Sequence, residues 1–149
     1  VRPDAFARPS IRLTRPVIRQ LERDAVVGQA DFSVLWRFVF EAEDRPAAQK
    51  AAGTVADLLG ISDLLPVAPY EEPTWWMTDT VASAREAAMP ALFGRQLALA
   101  GRLASEWSVH GLAGLGDGES CYAVYNVVER NPPSVPGLRW ALMEVWPKG

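Results

Sequence analysis

Residues 31–41 read Asp31-Phe-Ser-Val-Leu-Trp-Arg-Phe-Val-Phe-Glu41, and this stretch decides the fold. Phe32, Val34, Trp36, Phe38 and Phe40 recur at every second position. Successive strand residues point to opposite sheet faces, so these five share one apolar face. Ser33, Leu35, Arg37, Val39 and Glu41 share the other, which is half polar. A central strand with one buried face is expected here. The period then changes. Asp44 can cap a helix that carries Pro46 in its first turn. Ala48, Ala51, Ala52, Val55, Leu58 and Leu59 repeat at three and four residues, and Gly60 supplies a left-handed C-cap. The pattern predicts a helix over 45–59.

Upstream, residues 1–13 read as a loose arm, with Pro3, Pro9 and no steady period. Thr14, Pro16 and the stripe Val17, Ile18 and Leu21 predict a short helix over 15–24. Downstream, 61–73 reads as a proline-rich connection with a short extended piece near Leu64–Val67, and Thr74–Thr80 as a second strand. Ser83-Ala-Arg-Glu86 matches a capping box. A long helix is expected from there to about Val109, kinked at Pro90. Gly111 to Gly118 is a glycine-rich loop. Ser120–Glu129 and Leu138–Trp146 alternate as strands, joined by Asn131 to Gly137 with three prolines. The β-α-β-α order over 31–109, closed by two further strands, predicts a ferredoxin-like α+β sandwich. It would be a four-stranded, mainly antiparallel sheet with helices on one face and a short N-terminal helix, forming one domain over 14–149. Its other face would be only partly covered and rich in aromatics.

Composition limits the chemistry. The chain has 149 residues, 49% apolar and 22% charged, which suits one folded domain. No run approaches the roughly 18–20 apolar residues of a membrane-spanning helix. The N-terminus shows no apolar secretory segment, so a cytoplasmic protein without a membrane partner is expected. Cys121 is the one cysteine and His110 the one histidine, which excludes multi-cysteine and paired-histidine metal sites. No metal or cofactor is expected. Residues 1–24 hold six arginines against three carboxylates, and the rest of the chain is acidic, for a net charge of −3. The basic residues are not interleaved with aromatics, which argues against nucleic acid as the main partner.

Candidate chemistry is sparse. Gly111 to Gly118 precedes a strand and follows a helical pattern, the reverse of a phosphate-binding loop. Glu41, Glu43 and Asp44 cluster at a strand end, where a helix cap and solvated carboxylates account for them. His110, Cys121 and Glu43 are the residues an enzyme would use as base, nucleophile and acid. Tryptophan is the least ordinary feature: Trp36, Trp75, Trp76, Trp107, Trp140 and Trp146. Adjacent Trp75 and Trp76 must point to opposite faces of a strand. Trp36, Trp75, Trp76, Trp140 and Trp146, with Glu71 and Glu72, are the expected partner-binding residues.

The element pattern resembles the regulator of ribonuclease E activity B family over residues 14–115. Carrying the resemblance are the charged segment Thr14 to Asp24, the strand with an acidic end from Phe32 to Asp44, and the alanine-rich helix closing on Leu59-Gly60. The Pro66 and Pro69 connection, the strand at Trp75–Asp79 and the segment ending Leu103-Ala-Ser-Glu-Trp107 follow, before a glycine turn. The family's Tyr-Asp-Gly-Trp turn stands here as Val109-His-Gly-Leu112. Two tryptophan-rich strands replace the family's acidic tail. The resemblance implies a non-catalytic protein that binds and inhibits another protein, an enzyme or a toxin, as immunity proteins do. The alternative reading is a small-molecule-binding protein or enzyme of the dimeric α+β barrel type, a homodimer with an aromatic pocket touching His110, Glu43 or Tyr122.

Overall fold

The computed structural model describes residues 30–111 and 120–148, and the backbone of 10–12. Seven strands form one sheet: β1 (Ser10–Arg12), β2 (Ala30–Glu41), β3 (Ala68–Tyr70), β4 (Glu72–Glu86), β5 (Glu106–His110), β6 (Cys121–Asn126) and β7 (Leu138–Pro147). Their order across the sheet is β1-β5-β6-β7-β2-β4-β3, and every pairing is antiparallel. Among the described residues two helices accompany it, α1 (Arg45–Leu59) and α2 (Met89–Ala100).

The chain is therefore α+β, but the ferredoxin-like four-stranded sandwich is corrected. Each of the four segments expected as strands contributes one, and β1, β3 and β5 are added. The cause lies in residues 83–110. Ser83–Glu86 does not cap a helix; it extends β4, which pairs with β2 over twelve positions from Ala30↔Glu86 to Glu41↔Trp75. Pro90 does not kink a helix but starts α2, in the first turn, where its missing N–H costs nothing. The helix stops at Gly101. Glu106–His110, expected as its last turn, is strand β5, with Trp107 and Val109 turned to the core and Ser108 and His110 to the other face. The helix over 15–24 and the loop 112–118 lie outside the described residues. So does the arm over 1–13, apart from Ser10–Arg12, which pair with β5.

Helix α1 forms as its pattern predicts. The Asp44 carboxylate accepts from the Ala47 N–H at 2.9 Å, Pro46 sits in the first turn, and Gly60 closes the helix at φ 70°. Its apolar stripe, Ala48, Ala52, Val55 and Leu59, packs on the β2 face that carries Phe32, Val34, Trp36, Phe38 and Phe40. Leu92, Phe93 and Leu97 of α2 join the same core. The rings form a continuous series. Trp36 stacks on Phe38 with centroids 5.8 Å apart, and Trp107 meets Trp36 edge-on at 6.4 Å and Tyr125 at 5.8 Å. Truncating any one of these buried rings to alanine costs about 3–5 kcal/mol. No helix among the described residues is long and apolar enough to cross a membrane.

The sheet's second face is also apolar at its centre. Leu35, Val39, Val124, Trp140 and Leu142 form a second buried cluster there, with Tyr70, Trp75, Met77, Tyr122 and Trp146 half-buried around it. The aromatic side of the sheet is thus closed at its middle and accessible at its rim.

Candidate functional site

The β3–β4 hairpin gathers four of the expected partner-binding residues at one end of the sheet. Glu71 makes its turn with φ 56°, a left-handed conformation rare outside glycine. Glu71 and Glu72 are exposed. Trp75 and Trp76 follow, opposite Glu41 and Phe40 of β2. Strand alternation sends Trp76 to the helix side, where its indole N–H donates to the Ala42 carbonyl at 3.2 Å. Trp75 goes to the second face.

Each indole lies under an arginine. The Arg45 guanidinium is 5.3 Å from the Trp76 ring centre, and that of Arg139 is 5.6 Å from the Trp75 ring. Both arginines are held. Arg45 donates to the Val67 carbonyl at 2.5 Å, and Arg139 pairs with Glu41 at 2.8 Å. Arg139 reaches Trp75 because the β2–β7 register shifts at Val39/Phe40, where Arg139 is the residue without a partner across the ladder. Beside it Val39, Trp75, Asn126, Arg139 and Trp140 line a depression of about 130 Å³. Exposed carboxylates of Glu41, Glu43, Asp44, Glu71 and Glu72 surround this rim, against the two stacked guanidiniums.

Of the other tryptophans only Trp140 adjoins this rim, in the floor of the depression beside Trp75. Trp36 is buried in the helix-side core and Trp140 in the second-face cluster, 3% and 1% exposed. Trp146 is half-buried opposite Ser33, near the far end of β2. The tryptophan set therefore does not make one patch; Trp75 and Trp76 share one end of β4 with Glu71 and Glu72 but lie on its opposite faces. The two guanidiniums that organise them gave no signal in sequence, because they come from α1 and β7.

His110, Cys121 and Glu43 are kept apart. His110 and Tyr122 face each other across β5 and β6 and stack at 4.7 Å on the second face. Cys121, next along β6, points to the helix side, is wholly buried, and its thiol donates to the Gly111 carbonyl at 3.1 Å. The ladder places His110 level with Leu35 through Tyr122 and Glu144. Glu41 is six residues further along β2, about 20 Å at the usual strand rise, and Glu43 lies beyond it. No group of three His, Cys, Asp or Glu residues with metal-binding geometry occurs among the described residues.

The strongest polar knot sits between β5 and the β6–β7 loop. Buried Asn131 accepts at Oδ1 from Ser105 Oγ (3.2 Å) and the Glu106 N–H (3.3 Å), and its Nδ2 donates to the Glu106 carbonyl at 2.9 Å. The Tyr125 hydroxyl donates to the Asn131 carbonyl at 2.7 Å. Burial pushes the Tyr125 phenol up to about 12. This knot anchors the three-proline loop, and its groups are all committed to one another.

No family model, no curated protein and no solved structure matches the chain.

Proposed function

We infer that this chain is a non-catalytic protein-binding regulator or inhibitor that docks a basic segment of another protein on the Glu71–Trp76 rim. One observation carries the reading: Trp75 and Trp76, half-buried on the two faces of one sheet end and each fixed under a guanidinium, stand among five exposed carboxylates. Aromatic anchors held in place before binding lose little side-chain entropy when a partner covers them. Tryptophans of this kind dominate interface energetics. The carboxylates favour a lysine- or arginine-rich partner and repel acidic ones. The depression beside Trp75 has room for about four waters, or one partner side chain. The separation of His110, Cys121 and Glu43 supports a binding role over a catalytic one.

Affinity capture from native lysate with substituted chains tests this. Trp75→Ala and the pair Glu71→Lys, Glu72→Lys leave the main core untouched, so folding is preserved. A specific protein held by the native chain, lost with either variant and released by salt, is the expected result. Identical retention by all three chains contradicts the reading.

A further inference from the structure

Among the described residues, a cleft open to the surface lies on the helix-side face along the second half of β4. Opposite Phe32, Val34 and Trp36 of β2, strand β4 presents only Ala84, Ala82 and Thr80. Helix α1 ends at Leu59–Gly60 before covering them, and α2 contributes Gln96 and Leu99 on the far side. What remains is a cleft of about 310 Å³ with Trp36 and Val34 in its floor. It lies at the small end of ligand pockets.

Its polar groups are few and unevenly used. The Trp36 indole can only donate, and it donates to Gln96 Oε1 at 3.1 Å. That fixes the amide orientation and leaves Gln96 Nε2 as a donor with no acceptor among the described residues. Thr80 is 7% exposed, and its hydroxyl makes no hydrogen bond to the described residues. Asp63, at the mouth, is the one charged side chain among the described lining residues; it accepts from the Ser62 hydroxyl at 3.3 Å and forms no ion pair with the described residues. The cleft therefore offers an apolar floor, one amide donor, serine and threonine hydroxyls and one carboxylate.

We propose that this cleft binds a small amphipathic amine. Its apolar ring or branched chain lies over Trp36, Val34 and Leu99. Its ammonium faces Asp63, and a hydroxyl or carbonyl oxygen accepts from Gln96. An anion of the same shape meets the Asp63 carboxylate and no cation among the described lining residues. The site is separate from the Trp75–Trp76 rim and stands or falls independently of it.

The test is an NMR titration that follows the Trp36 indole N–H, assigned by its loss in Trp36→Phe, with tyramine and 4-hydroxyphenylacetate as probes. Tyramine at millimolar concentration is expected to shift this resonance and the methyls of Ala82 and Ala84 saturably, and the acid is expected to leave them in place. Asp63→Asn weakens tyramine by about two- to fivefold, the range of an exposed ion pair. Ala82→Leu fills the floor and abolishes the shift while the rest of the spectrum stays folded. An unmoved Trp36 signal with tyramine, equal binding of the acid, or undiminished binding by Ala82→Leu overturns the proposal.

Discussion

Trp75 and Trp76 are neighbours in sequence but lie on opposite faces of the sheet, one in the second-face cluster and the other packed against the main core. Their different surroundings separate structure from docking. Trp76→Ala removes core packing and strands the Ala42 carbonyl, so it should cost about 2–3 kcal/mol of stability. Trp75→Ala should cost about 1 kcal/mol, since its ring lies at a rim. Urea unfolding of the two variants checks the order. Equal losses would place both rings in the same structural role.

Asn131 holds the β6–β7 loop to the start of β5 with three side-chain hydrogen bonds in a buried site. Asn131→Ala leaves the Glu106 N–H and carbonyl without this partner. A loss of about 2–3 kcal/mol is expected, with unfolding still a single transition. A loss below about 0.5 kcal/mol would show that solvent replaces these bonds freely.

Tyr125 makes stability fall at alkaline pH. Its phenol stays protonated in the folded chain up to about 12, while the unfolded chain ionises near 10. The unfolded state therefore releases its proton first. The contribution is fully present below pH 10 and is lost as pH rises through 12, about 3 kcal/mol in all. Tyr125→Phe should flatten this part of the stability curve. A curve unchanged by the substitution would assign the alkaline loss to other groups.

Cys121 is buried at the start of β6, against Gly111, which has φ 86°. A Cβ at that glycine would stand 2.7 Å from the Ser120 carbonyl oxygen. A thiol reagent should modify Cys121 only as fast as the protein opens. Gly111→Ala, strained in both backbone and contact, should speed that modification at least tenfold. Fast labelling of the native chain would mean a reactive thiolate at an accessible site.

The parts of the fold that local chemistry specifies were legible. Asp44, Pro46 and Gly60 bracket α1, and the period-two run of aromatics marks β2. Residues 83–110 were not legible. Ala82-Ser-Ala-Arg85 lacks the β-branched residues that favour strands, and Ser83 with Glu86 mimics a helix start. Pairing with β2 along its whole length overrides that local preference. The alternation of Trp107 and Val109 with Ser108 and His110 was the available signal for β5. For the rim, strand alternation alone predicts that Trp75 and Trp76 diverge. That Arg45 and Arg139 cap them depends on α1 and on a β7 bulge, long-range contacts that no local pattern encodes. The cleft is likewise a product of three distant elements, hinted at only by small residues at positions 80, 82 and 84.

The central claim, a docking rim at Glu71–Trp76, is tested most directly by a hydrogen-exchange footprint of the chain alone and with its captured partner bound. The account predicts new protection over residues 71–77 and 41–45, with the His110–Tyr122 end of the sheet unchanged. Protection confined to residues 106–110 and 120–122, with the rim exchanging as before, would contradict it.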